Sequence, residues 1–257
     1  MQNKNVAIKN NMEKGRITLC VLSAFLLKIL ACIFMAIDHV GVAIFPQINI
    51  LRIIGRIAFP IFAFFIAEGC RYTKNKIKRF VLVFTLGVVC ETAYYIYTKE
   101  FYGNILLTFS LSILLIYLLQ EVKKHLFNKQ ISLLIFWSVL FVLSIIAVKL
   151  LTQKIYVDYG FYGVLTPVFV SLFDFNNTNA SEKVKVLDCK LTKLFCLSVA
   201  LVLLWYFGSF DIQIWSLLSI PLLLLYNGKR GRFKFKYGFY IFYPLHLLLI
   251  EFISMFI

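Results

Sequence analysis

Nine ionisable side chains stand inside long apolar stretches of this sequence: Lys28, Asp38, His39, Arg52, Arg56, Glu68, Glu91, His246 and Glu251. A charge at the centre of a bilayer costs roughly 2.5–3.5 kcal/mol on insertion scales. A chain keeps several only if they pair, face an interior or line a wet cavity. Three cations, Lys28, Arg52 and Arg56, roughly balance four acids, Asp38, Glu68, Glu91 and Glu251, so one polar cavity among helices is expected. Arg52 and Arg56 are four apart and share a helix face. Lys28 and His39 are eleven apart, three turns, and also share one. Asp38 points about 100° away from His39, so the carboxylate that orients the His39 ring must come from another helix; Glu91 is the candidate. Asp38 is better placed to pair with Arg52 or Arg56 across the short hairpin Pro46–Asn49. Pro60 removes the hydrogen bond to the Arg56 carbonyl, which predicts a kink there. Asn104 and Thr108 share a face and complete a polar lining. His246 follows Pro244 in the last apolar stretch.

Histidine serves as a general base near neutral pH, and arginines hold anionic groups or face a developing oxyanion. The sequence carries no P-loop, GxSxG elbow, HExxH or haem motif, and no CxxC spacing among its six cysteines. No metal site is expected. Two chemistries remain, and spacing does not separate them: base-assisted group transfer in a membrane cavity, or proton- or ion-coupled transport through it. Glu68 lies near a helix end, where pairing with Arg71 is the bland alternative. Glu251 reads as structural, and His125, in a basic loop, as solvated.

The elements that must position these residues follow from composition. Of 257 residues, 61% are hydrophobic and 15% charged, against about half and a quarter in a soluble domain. That excludes a large soluble domain, disorder and a disulfide scaffold. An all-α, polytopic membrane bundle of about nine helices (eight to ten) is expected, enclosing a polar cavity. The apolar segments are Thr18–Phe45, Ile50–Glu68, Phe80–Tyr97, Ile105–Leu119, Ile131–Leu150, Gly160–Phe173, Leu194–Phe207, Ile212–Tyr226 and Tyr237–Ile257. Gly160, Gly163 and Pro167 interrupt the sixth, which reads as a true span or a re-entrant segment.

With the N-terminus in the cytoplasm, segments 1–17, 69–79, 120–130, 174–193 and 227–236 lie inside and hold 21 of the 27 Lys and Arg. That is the positive-inside pattern. It explains the net charge of +15 as topology, with anionic lipid as a further partner and no nucleic acid. Residues 1–17 form a cytoplasmic segment and 18–257 a single transmembrane domain, retained in the bacterial cell membrane with no cleaved leader. Segment 174–193 is the longest polar stretch and is expected to be mobile.

The run Lys28-Ile-Leu-Ala-Cys-Ile-Phe-Met-Ala-Ile-Asp38-His39-Val-Gly41 resembles the opening motif of the TraX-like proteins. Leu51-Arg52-Ile-Ile-Gly55-Arg56-Ile-Ala-Phe59-Pro60, running on to Glu68-Gly69, resembles the next. Asn104-Ile-Leu-Leu-Thr108 resembles the middle motif and Phe242-Tyr243-Pro244-Leu-His246-Leu the closing one. The resemblance covers about residues 25–250; positions 125–235 match only as hydrophobic helices. It implies an integral-membrane acetyltransferase with acetyl-CoA as donor. The acceptor is an amine, as in the pilin N-terminus modified by the founding member, or a hydroxyl of a secreted peptide or cell-surface glycan. On this reading His39 is the general base, with Asp38, His246 and Glu91 as catalytic companions. Arg52, Arg56, Lys28, Asn104 and Glu68 line the substrate site. Arg71, Arg79, Arg230 and Arg232 of the basic loops meet the phosphates of the donor. Two other readings stand beside it: a proton-coupled transporter or channel using the same charges, and a non-enzymatic assembly factor.

Overall fold

The computed structural model describes residues 21–176, 178–208, 211–232 and 238–256, and is helical throughout, with no strand among the described residues. The expected cytoplasmic segment 1–17 lies outside them. The helices are α1 (Ala24–Ala43), α2 (Asn49–Gly55), α3 (Ala58–Tyr72), α4 (Lys76–Thr98), α5 (Ile105–Phe127), α6 (Ile131–Lys154), α7 (Gly160–Val170), α8 (Glu182–Lys185) and α9 (Lys190–Gly208). A 3₁₀ helix (Asp211–Leu218), α10 (Ser219–Leu224) and α11 (Gly238–Ser254) complete the chain. Six elements are long and apolar enough to cross a membrane: α1, the α2–α3 pair, α4, α5, α6 and α9. The shorter apolar ones, α7, the 3₁₀ helix with α10, and α11, coincide with the sixth, eighth and ninth expected segments.

Polar caps set the helix starts. The Ser23 hydroxyl accepts from the Leu26 amide, the Asn75 side chain from Lys78, and the Asn104 side chain from Leu106 and Leu107. Such caps satisfy amides that have no partner within the helix. The second span does more than kink before Pro60. It breaks after Gly55 and restarts at Ala58, leaving Arg56 and Ile57 between two helices. This follows from the carbonyl that Pro60 cannot serve. The break lets α2 lie against α1, where Gly55 leaves room for the Asp38 side chain that any Cβ would strike.

The connecting segments sort to two ends. At one end Leu22 bridges Tyr226, Arg71 meets Asp174 and Asp188, Lys76 meets Glu121, and the Lys123 ammonium donates to the carbonyls of Ser171 and Asp174. The described basic segments gather here. At the other end Gly103 bridges Val157 and the Asp158 amide donates to the Gly103 carbonyl. The nine segments therefore alternate between the two ends as the charge pattern requires. The core lies on α3 and α5, with Phe64, Ile61, Ile113 and Ile116 fully buried. α6 is the contrast: Val148 is its one buried residue, and its other apolar side chains are open.

Two expectations change. Segment 174–193 is pinned. The Arg71 guanidinium binds Asp188 and Asp174, the other Asp188 oxygen accepts from the Phe175 amide, and α8 forms within the segment. Burial works to raise the Asp188 carboxyl, but the hydrogen bonds from Arg71 and Phe175 outweigh it and hold the group below the usual carboxylate range. His125 is buried at 8% exposure, with Nδ1 2.6 Å from the Gln130 side-chain oxygen. It belongs to the packing of this end, because Gln130 turns back over the last turn of α5.

Candidate functional site

A cavity of about 2140 Å³ runs between the two ends of the bundle. Its walls carry Lys28, Asp38, His39, Arg52, Arg56, Glu68, Arg79, Glu91, Asn104 and Arg230. The sequence motifs converge on it from α1, α2, α3, the start of α5 and α11, and α4 adds Glu91.

The far end from the basic loops is a chamber around Asp38. Its carboxylate binds the Arg56 guanidinium and lies 3.4 Å from Arg52 Nε. The expected pairing across the hairpin is thus made with both arginines. Arg56 also sits over the Tyr159 ring at 5.8 Å, a cation–π contact, and Tyr159 stacks on Phe59 at 4.0 Å. Arg56 is therefore clamped, whereas Arg52, with 35% of its side chain exposed, still faces the cavity.

His39 lines this chamber, and His246 stands behind it with ring centroids 5.1 Å apart, edge to face. His246 is 5% exposed. Its Nδ1 is 2.8 Å from the Phe242 carbonyl oxygen. A carbonyl only accepts, so Nδ1 carries the proton and Nε2 of the neutral ring holds the lone pair. That Nε2 is buried and receives no hydrogen bond. The Phe242 ring stacks flat on the imidazole at 4.7 Å. One imidazole thus meets the cavity and the other is fixed behind it.

Glu91 does not orient His39. Its carboxylate accepts from the amides of Tyr102 and Asn104 and from the Asn104 side chain, which also donates to the Gly87 carbonyl. Glu91 and Asn104 thus hold segment 102–104. That segment in turn holds 156–158 through the Gly103 bridge, while Thr108 donates to the Asp158 carbonyl at 2.8 Å. What this relay places on the cavity wall is Asp158, a residue that sequence reasoning missed. It sits in an apolar-flanked loop with no motif of its own. Nothing in the sequence marks it; only the structure shows the tight turn beside it, where Tyr159 and Gly160 both adopt positive φ, 60° and 56°, a conformation costly for tyrosine. Removal from water pushes the Asp158 carboxyl up to about 7; nearby Arg56 pulls it down and Asp38 raises it further.

The opposite end of the cavity carries Lys28, Arg79 and Arg230. Lys28 lies over the Phe65 and Phe239 rings at 5.1 and 5.7 Å, near enough to Arg79 and Arg230 to feel their charge. Arg79 folds over Gly69, where a Cβ would meet its guanidinium, and donates to the Ile66 carbonyl at 3.3 Å. Among the described residues none of these three cations is in an ion pair. Other cations here are occupied. Arg71 is held by Asp174 and Asp188, so it is not free to meet a phosphate; Lys193 takes Glu68 at 2.6 Å, so Glu68 is paired with Lys193 and not with Arg71. Arg232 is exposed and off the cavity wall.

A family model described as TraX protein matches residues 23–254. The probable fimbrial assembly protein FimC, serogroup H1, of Dichelobacter nodosus is 25% identical over 261 residues, covering 91% of this chain and 97% of that protein. An uncharacterised protein of Rickettsia prowazekii (strain Madrid E) is 41% identical over 93 residues, 36% of each chain. No solved structure matches the chain.

Proposed function

The chain belongs to the TraX family, and from that premise we propose that it is a membrane-embedded acetyltransferase of the bacterial cell membrane, moving an acetyl group from acetyl-CoA to an amine or hydroxyl acceptor. The observation that carries this reading is the division of one cavity into an unpaired cationic end and a histidine chamber. Lys28, Arg79 and Arg230 suit the phosphates of the donor, because unpaired cations facing a shared space are stabilised by an anion. Lys28 and His39 stand on one face of α1 about 16 Å apart, at 1.5 Å per residue. That is the length scale of an extended pantetheine arm, so a donor anchored at Lys28 presents its thioester near His39.

His39 then removes the proton from the acceptor nitrogen or oxygen as that atom bonds to the carbonyl carbon. It returns the proton to the sulfur as the carbon–sulfur bond breaks, so atoms and charge balance. Arg52 faces the developing oxyanion. Arg56 and Asp38 fix the chamber, and His246 holds the His39 ring from behind. Asp158 stands opposite Arg56 as a second proton-accepting group. The fimbrial assembly protein among the relatives makes a pilus or fimbrial subunit the first acceptor to try.

Calorimetry with the purified protein in nanodiscs tests the reading without knowledge of the acceptor. Acetyl-CoA is expected to bind and ATP to bind weakly or not at all. A folded sample that does not bind acetyl-CoA contradicts the proposal. Because the cavity reaches both ends, a proton-coupled transporter is the second reading; it predicts substrate-driven proton movement and no affinity for CoA.

A further inference from the structure

The 3₁₀ helix carries a polar face that lies off the cavity. At three residues per turn, Gln213, Ser216 and Ser219 stand one above another, the last of them opening α10, and all three are fully buried. Trp215 and Leu218 form the open face beside them, 45% and 47% exposed. The buried face of this apolar segment is therefore the polar one, and the 3₁₀ helix packs on α9, α2 and α3. Among the described residues no hydrogen bond reaches the Gln213 side-chain oxygen or nitrogen, or either serine hydroxyl. Hydroxyls elsewhere in the chain behave differently: those of Ser112, Thr166 and Ser198 each donate to the carbonyl four residues back. A 3₁₀ helix turns that carbonyl about 120° off the face, so the same bond is not available there.

We propose that this face is a binding site for water inside the membrane: a file of water molecules held along Gln213, Ser216 and Ser219 and entered from the cavity beside Asp211. Polar groups buried without partners are costly, and four such atoms on one face call for a ligand. The atoms select it. The Gln213 nitrogen only donates, its oxygen only accepts, and each hydroxyl does both. A bare cation would satisfy the oxygens and leave the nitrogen unbonded; water serves all four. The spacing agrees. Three residues at a rise of about 2.0 Å set successive side chains about 6 Å apart, the span of two hydrogen bonds of about 2.8 Å through one water. Buried water makes about three hydrogen bonds, and further partners stand at the break between α2 and α3, which both pack on the 3₁₀ helix. There Arg56 Nε makes no hydrogen bond, and the Arg56 carbonyl is the one that Pro60 cannot serve. Asp211 and Ile212 line the cavity and adjoin Gln213, which gives the water its way in. The site does not depend on the acetyltransferase reading.

The probe is water itself, with the full-length protein in phosphatidylcholine bilayers. Solid-state NMR of protein carrying ¹⁵N-glutamine follows polarisation passing from water protons to side-chain amides. The Gln213 signal is identified by its loss in Gln213→Leu. It is expected to build up within threefold of the rate at exposed Gln153; slower build-up means a dry face and overturns the proposal. Melting temperature in nanodiscs is the second readout. Ser216→Ala removes the middle partner of the file and should lower it by about 2–4 °C. The triple change Gln213→Leu/Ser216→Ala/Ser219→Ala expels the water altogether and should return it toward the natural value. A dry face predicts the opposite for the single change, because an unpaired hydroxyl is then removed. A melting temperature that rises or stays level in Ser216→Ala therefore overturns the proposal. So does one that rises when sodium chloride replaces choline chloride at the same ionic strength, which marks a cation site in place of water.

Discussion

At the scale of the residue, the sequence shows which side chains matter better than it shows what each does. Asp38, His39, Arg52 and Arg56 were legible as one group because intramembrane charge is costly and helix spacing aligns it. Glu91 was legible as buried and polar, but its partners, Tyr102 and Asn104, lie beyond the end of α4 at Thr98, where helix spacing no longer predicts contacts. Asp158 was illegible because a loop acid carries no cost in a sequence; it becomes informative only once the fold removes it from water. Its carboxyl, near 7 when folded, lies well above the 3.9 of an unfolded aspartate. A raised value means that the neutral acid is favoured by folding. That stability is fully present below about pH 4 and is lost as pH rises through 7. Thermal melting in detergent between pH 4 and 8 should therefore fall more steeply for the natural protein than for Asp158→Asn. Equal slopes would show that Asp158 is not held as an acid.

At the scale of the element, nine apolar segments were readable from hydropathy, and each carries a helix among its described residues. Their ends moved by the reach of polar caps and, for α5, by a last turn carrying Lys123 and His125 that hydropathy alone cuts off at Leu119. Pro60 announced a perturbation, but whether it kinks or breaks the span depends on what α1 offers in exchange, and Asp38 seated against Gly55 is that exchange. Gly55→Ala should drive a methyl into Asp38 and cost about 1–3 kcal/mol, the range for overpacking a tight contact, read as a lowered melting temperature. Retained stability would mean that α2 is free to shift. The pinned segment 174–193 was unreadable, because its anchors, Arg71 and Lys123, come from distant helices. Arg71→Ala leaves Asp174 and Asp188 buried without their main cation and should destabilise by about 3 kcal/mol. Limited proteolysis should then cut within 174–193, while acetyl-CoA binding persists. Loss of binding without cleavage would return Arg71 to the donor site.

At the scale of the molecule, the positive-inside pattern and the gathering of basic segments at one end agree, though they come from unrelated physics. One is a bias of insertion; the other is ion pairing, as in Arg71–Asp188 and Lys193–Glu68. What the sequence could not supply is which cations remain after that pairing. Among the described residues Lys28, Arg79 and Arg230 do, together with Lys74 and Lys78, and all five line the cavity whose other end holds His39. The central claim is that His39 carries the proton in an acetyl transfer fed from that cationic end. The most direct measurement is release of free CoA thiol from bound acetyl-CoA, with calorimetry alongside, in the natural protein and in His39→Ala. The account predicts slow thiol release by the natural protein. The variant should bind acetyl-CoA with the same affinity and release thiol about 10²–10⁴-fold more slowly, the usual share of a general base. Thiol release at the natural rate from a folded His39→Ala protein would contradict it.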